Sequence, residues 1–243
     1  MKKIITFLLA LSLTAALAAC SGDDIQQIDD YEYNPSVQTT AADNGETTAA
    51  EENEISFKTD NSWMKNFSVT YRYYNPENDS STVTVKETRA DKVFCVEYEQ
   101  SQSLMYYKEN GSGTDMYTIT PSSNTHTLLS DKKFSTISSL FMKLSAVDEK
   151  LPLQSNVMLM GTEQVAGREC AKYIQRAYTD GEVTQTVYVW VDIEYGISLQ
   201  CRALDSSDKL TLSWEVTEFR TGNLTQKDTG VDLTKYKFTE VSE

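Results

Sequence analysis

The chain has 243 residues and a formal net charge of −14, from 36 Asp and Glu against 22 Lys and Arg. Such an acidic surface repels phosphate backbones, and no Lys/Arg cluster offsets the repulsion, which argues against a nucleic-acid partner. Hydrophobic residues at 40% are enough for a real core, while a single histidine and no CxxC exclude a Cys/His zinc centre or a thiol redox motif of the usual kind.

Lys2 and Lys3 precede an apolar run from Ile4 to Leu17, which is short for a bilayer span and reads as a cleaved secretory signal over residues 1–19. Leu17-Ala18-Ala19-Cys20 closes that run and resembles the lipobox of bacterial lipoproteins. The resemblance implies that Cys20 is the lipidation site: it becomes the mature N-terminus, with a diacylglycerol on its sulfur and an acyl chain such as palmitate on its amine. The protein would then be lipid-anchored at the extracytoplasmic face of the cell membrane. Acyl burial at about 0.8 kcal/mol per methylene makes two or three chains an effectively permanent anchor. Loss of Lys2 and Lys3 leaves 20 basic against 36 acidic residues, so lipid rather than charge must hold the membrane.

Ser21 to Ile55 carries ten acidic residues and no Lys or Arg, with Thr-Thr-Ala-Ala at 39–42 and again at 47–50. It cannot bury enough apolar area to offset its ordering entropy, so residues 20–55 are expected to form a disordered tether spanning roughly 30 to 35 Å. Tyr31-Glu32-Tyr33-Asn34-Pro35 is the one stretch within it with the character of a docking peptide.

Residues 56–243 fit one domain. Phe67, Val69, Tyr71 and Tyr73 alternate with Ser68, Thr70 and Arg72, the period of a half-buried strand. Further strands are expected at 82–88, 92–98, 104–108 and 116–120, joined by turn-rich connections such as Asn75–Asp79, Asn110–Gly113 and Pro121–Asn124. Phe134, Ile137, Leu140, Phe141 and Leu144 then switch to helical spacing, with Ser130 or Asp131 available as the cap. Strands resume at 157–164, 169–178, 183–192, 197–204 and 210–219. About ten strands without βαβ units predict a mainly β fold: a large curved antiparallel sheet, or half-open β-barrel, with the amphipathic helix as lid. Tyr188 and Trp190 interrupt an otherwise polar outer row and point to a partly covered outer surface.

The stretches Val85-Lys86-Glu87-Thr88-Arg89-Ala90-Asp91-Lys92-Val93-Phe94, Met116-Tyr117-Thr118-Ile119-Thr120-Pro121, Gly161 to Tyr173, Val189-Trp190-Val191-Asp192 and Gly196-Ile197-Ser198-Leu199 together resemble the lipoprotein-carrier and lipoprotein-receptor family, the LolA/LolB-like half-barrels, over most of residues 67–236. The resemblance implies an unclosed barrel whose helical lid covers an apolar, acyl-chain-binding cavity. Its lid would be Phe134, Ile137, Phe141 and Leu144. Its cavity wall would be Val69, Tyr71, Tyr73, Val189, Val191, Leu199, Leu212, Trp214 and Val216. Arg89 matches the position that latches the lid in the family, although Ala90 stands where the family has proline, and the family's long N-terminal helix is not evident in 56–66.

Catalysis finds little support. His126 lies in the polar stretch Ser123–Thr127 with no nucleophile motif beside it, and reads as a surface residue of a connection. Asp205 with Asp208, and Asp192 with Glu194, fall where Asp serves turn geometry. Cys170 and Cys201 flank one strand of the meander and are not neighbours, so a bridge between them is doubtful. The sequence therefore predicts no enzyme, no cofactor and no metal. It predicts a membrane-anchored binding protein for an acyl chain or a lipoprotein's lipid, or else an envelope sensor or protein-interaction module with a sealed core.

Overall fold

A computed structural model describes residues 60–74 and 82–241. The signal segment, Cys20, the tether and the Asn75–Asp79 connection lie outside the described residues.

Two meanders meet at the first strand. β1 (Phe67–Tyr74), β2 (Thr82–Ala90), β3 (Val93–Tyr98), β4 (Ser103–Asn110), β5 (Gly113–Ile119) and β6 (Asn124–Leu129) run as successive antiparallel hairpins. β7 (Val157–Val165), β8 (Arg168–Thr179), β9 (Glu182–Asp192), β10 (Ser198–Asp205) and β11 (Leu210–Thr221) form the second meander, and β11 closes onto β1. A final parallel strand, β12 (Thr239–Glu240), adds to β6. The result is one 12-stranded sheet in the order β12-β6-β5-β4-β3-β2-β1-β11-β10-β9-β8-β7, with β12 and β7 at its open edges.

Curvature comes from bulges. Each of the pairings β1–β11, β11–β10, β10–β9, β9–β8 and β8–β7 contains a register shift, whereas the hairpins from β1 to β6 contain none. A bulge bends its strand and raises local twist, so the second meander curls until β7 packs back against β11. The unclosed, mainly β half-barrel expected from the alternation is thus present.

Two strands exceed the expected ten. β6 contains His126, in the stretch read as a polar connection, and it forms because β5 offers a free edge that backbone bonds can satisfy whatever the side chains. β12 is only two residues long and had no readable period.

The expected single helix over Phe134–Leu144 does not form. A 3-10 turn at Phe134–Thr136 is followed by α1 (Leu140–Leu144), five residues long. The Ser and Thr residues between explain the break: Thr136 donates its hydroxyl to the Lys133 carbonyl at 2.7 Å, and Ser139, not Ser130 or Asp131, caps α1 by accepting the Met142 N–H at 3.0 Å.

The two faces of the sheet are buried differently. On the inner face Phe67, Val69, Tyr71, Tyr73, Trp214 and Val216 are buried beneath the segment 134–145. On the outer face the C-terminal tail crosses the first meander, where Leu224, Val231 and Leu233 pack on Ala90, Val93, Cys95 and Tyr106. Cys95 is fully buried there, and burial pushes its thiol well above the ordinary range.

Candidate functional site

Phe141 is the centre of the inner face. It is fully buried, with ring centroids 5.6 Å from Trp63, 6.2 Å from Phe67, 5.9 Å from Tyr71, 6.4 Å from Trp214 and 5.9 Å from Phe219. These are favourable edge or tilted arrangements, worth roughly 0.5 to 1.5 kcal/mol each beyond area burial. Trp63 comes from a 3-10 turn at Ser62–Lys65, which lays its indole against Phe67 at 5.2 Å.

Beneath α1 lies a polar pair that apolar patterning did not reveal. Cross-strand register sets Glu87 opposite Val69 and Arg89 opposite Phe67, so both side chains enter the inner face. The Glu87 Oε1 accepts the Tyr71 hydroxyl at 2.7 Å and the Phe141 N–H at 3.0 Å. Glu87 is fully buried, and burial raises its carboxyl above the usual range although bonds from Ser139, Tyr71 and the Phe141 and Leu140 amides pull the other way. Arg89, 8% exposed, donates to the Ile137 carbonyl and lies over the rings of Phe94 at 4.8 Å and Phe134 at 5.2 Å. The segment 134–145 is therefore joined to β2 by a carboxylate at one point and a guanidinium at another.

The expected wall residues fall into two groups. Val69, Tyr71, Tyr73, Trp214 and Val216 belong to the buried face around Phe141. Val191 and half-buried Val189 pack with Ala171 and Tyr173 under Val147 and Leu151, further along the same covering segment. Leu199 is fully buried and Leu212 half-buried. Of the expected lid residues, Phe141 and Leu144 are buried on α1, Phe134 is buried against Arg89, and Ile137 is half-buried with its carbonyl bonded to Arg89. Glu87 and Trp63 were missed as members of this site. Glu87 had a signal, since Val85, Glu87 and Arg89 share the period-two row of β2.

Outside this site, the turn carboxylates behave as expected at Asp205, whose Oδ1 accepts the Ser207 and Lys209 amides at 2.8 and 3.0 Å. Asp192 does more than turn work: it is buried, accepts the Tyr195 N–H at 2.7 Å and pairs with Arg168, which also reaches Glu194 at 2.7 Å. Cys170 and Cys201 stand on β8 and β10 with β9 between them. Trp190 is 5% exposed because Lys172 lies over its ring at 4.8 Å and Glu163 accepts its indole N–H at 2.7 Å, which accounts for an apolar residue in the outer row.

His126 is a strand residue, not part of a connection, and both of its ring nitrogens meet carboxylates: Nε2 to Asp115 at 3.1 Å and Nδ1 to Glu240 at 2.8 Å. Its ring stacks on Tyr117 at 4.6 Å, and Phe238 packs on the same tyrosine at 5.0 Å. Partial burial opposes the charged form, yet the bonds to Asp115 and Glu240 and their charges outweigh it and raise the imidazolium's pKa. A histidine raised above its unfolded value of about 6.5 stabilises the fold fully below that pH and loses the contribution as pH rises through the folded value. The Val241 amide, which donates to the His126 carbonyl at 2.9 Å, should therefore exchange faster relative to core amides as pH passes through that value. Exchange at Val241 normalised to core amides, compared with His126→Phe, tests this, and identical pH profiles for the two proteins would count against it.

No protein-family model matches the sequence, and no curated protein does. Similar solved structures include the MucA/MucB complex of Pseudomonas aeruginosa, with 15% identity, TM-score 0.37 and coverage of 72% of this chain and 58% of that one. A conserved uncharacterized protein from Thermus thermophilus is similar at 13% identity and TM-score 0.36, covering 72% and 90%. A LolA superfamily protein from Nitrosomonas europaea is similar at 14% identity and TM-score 0.25, covering 72% and 91%. The chain thus spans 58% of the length of the chain of that complex that it matches.

Proposed function

We propose that this protein is a lipid-anchored, extracytoplasmic half-barrel that binds an apolar chain, such as an acyl group or a lipoprotein's lipid, between its inner face and the segment 134–145, without chemistry of its own. The observation that carries the reading is the way the segment is held. A permanently sealed core gains nothing from a buried carboxylate and a nearly buried guanidinium, because desolvating them costs several kcal/mol that packed hydrophobic groups would not. Glu87 and Arg89 instead meet the backbone of the covering segment at Phe141 and Ile137, where polar bonds give a definite closed position that can be exchanged for water on opening. In this reading Phe141 occupies the place of the ligand, Arg89 latches the lid, and Val69, Tyr71, Tyr73, Trp214 and Val216 are the wall it leaves exposed. A sealed-core module that contacts an envelope protein is the competing reading, favoured by the complete burial of Phe141.

The test is uptake of a fluorescent fatty acid by the full chain, with displacement by unlabelled lipid. Arg89→Met keeps the aliphatic contacts, removes the bond to Ile137, and should speed uptake several-fold. Leu212→Glu should abolish binding by placing a charge on the wall. Absence of saturable uptake by the native protein would decide for the sealed core.

Anchoring is tested separately. In bacteria fed labelled palmitate, the native protein should acquire label and Cys20→Ala should not. Equal labelling of the two would remove the lipid anchor from the proposal.

A further inference from the structure

The outer face of the four central strands carries a polar hollow of about 610 Å³. It is distinct from the lid face: Arg72 and Tyr74 alternate with the buried Tyr71 and Tyr73, and Ser213 and Glu215 alternate with the buried Trp214 and Val216. Cross-strand register arranges its lining as a lattice. Arg72 of β1 stands opposite Glu215 of β11, which stands opposite Gln200 of β10. One step along, Tyr74 stands opposite Ser213, which stands opposite Arg202. Thr84 and Thr82 of β2 extend the two rows, so each row crosses four strands, about 14 Å at the usual strand spacing.

Most of this lattice is uncommitted. Arg72 is held loosely by Glu215 at 3.8 Å, an exposed pair of little energetic weight. Among the described residues, the side chains of Tyr74, Gln200, Arg202 and Ser213 make no hydrogen bond or ion pair with the protein. The contrast with the neighbouring outer face is sharp, since Lys172, Glu163 and Trp190 satisfy one another there, and the first meander's outer face is covered by the C-terminal tail.

The chemistry of the lining selects a ligand class. Two guanidinium groups against one carboxylate make the hollow locally positive on a chain of net charge −14, which favours an anionic group. Glu215 sits between them and disfavours a densely charged anion such as a polyphosphate, but it accepts hydroxyl protons. An amide, hydroxyls and a half-buried tyrosine ring complete a surface that can bond many hydroxyl groups and cover an apolar ring face. We propose that this hollow is a binding site for an acidic oligosaccharide, a hydroxyl-rich chain whose carboxylates are spaced a sugar ring apart, with Arg202 pairing with a carboxylate and Gln200, Ser213 and Glu215 bonding hydroxyls. This lies on the opposite face from the lid and is independent of apolar-chain binding.

Trigalacturonate titrated calorimetrically into the full chain at low salt is the probe, with maltotriose as the neutral counterpart and tripolyphosphate as the densely charged anion. Trigalacturonate should give saturable binding at millimolar concentration or tighter. Removing a charge-assisted bond with Arg202→Gln should weaken it about tenfold, and Gln200→Ala should weaken it to a lesser degree. Arg220→Gln, on an exposed arginine of β11 outside the lattice, should leave it unchanged, and thermal melts of all three variants should match the native protein. The proposal is overturned if trigalacturonate shows no saturable heat, if Arg202→Gln binds it like the native protein, if maltotriose binds equally well, or if tripolyphosphate is preferred.

Discussion

Replacing Phe141 by alanine should destabilise the domain by about 3 to 5 kcal/mol, the range for a large buried aromatic whose neighbours collapse only in part. The lower end assumes that Trp63 and Phe219 move into the space, and the upper end that the sheet holds them apart. For a domain of this size the corresponding fall in melting temperature is roughly 10 °C. The same substitution distinguishes the two readings of the inner face. If Phe141 fills a ligand's place, the variant should still take up a fatty acid, and more tightly than the native protein, because no side chain has to be expelled first. If the inner face is a sealed core, the variant should only be less stable, or bind small solutes such as benzene in the manner of an isolated dry cavity. Denaturant unfolding and fatty-acid titration of the same preparation give both answers, and a loss below about 1 kcal/mol would contradict the packing described around the ring.

Glu87 should have the second-largest effect. Glu87→Ala leaves the Tyr71 hydroxyl and the Phe141 N–H without their acceptor, at roughly 1 to 3 kcal/mol for each buried orphan. Glu87→Gln retains an acceptor oxygen for both and should cost much less. It also isolates the proton. Burial raises the Glu87 carboxyl in the folded state, so folding favours the protonated form, and its contribution is complete below the unfolded value of about 4.3 and falls away as pH rises through the folded value. Glu163 and Glu194 act in the opposite sense, since bonds to Lys172 and Trp190 in one case and to Arg168 in the other hold them low, so their contribution disappears on acidification. The signature of Glu87 is therefore a difference: urea unfolding of the native protein minus that of Glu87→Gln should show a stability gap that changes as pH rises from about 4 to 8, to the disadvantage of the native protein. Parallel curves would mean that Glu87 carries no proton in this range.

Sequence reading recovered the parts of this molecule that repeat. Alternation in Phe67–Tyr73 assigns the faces of β1, and through pairing it assigns those of β2 and β11, which is why the buried inner-face residues near Phe141 were recognisable. Local patterning failed where side chains compete with the backbone, as at Ser135–Ser139, where helical spacing of Phe134, Ile137 and Phe141 coexists with hydroxyl bonds that break the helix. It failed again where the decisive information is a pairing between distant strands. The lattice of Arg72, Glu215 and Gln200 exists only through the registers of β1, β11 and β10, and no window of sequence contains it. The C-terminal tail was unreadable for a third reason: Leu224, Val231, Leu233 and Phe238 follow no period, each being placed by the outer face it covers.

The closure of β11 onto β1 also dictates how the chain must fold. Thr217 bonds the backbone of Thr70 across 147 residues of sequence, so the pairing that unites the two meanders is among the last the emerging chain can make. Hairpins β1 to β6 can form locally within microseconds, but until β11 arrives β1 is an unprotected edge with Val69, Tyr71 and Tyr73 facing no partner. High contact order of this kind gives folding in milliseconds to seconds. A chain cut short before residue 210 should leave that edge free to recruit another copy, and so accumulate as aggregate rather than as a smaller soluble domain.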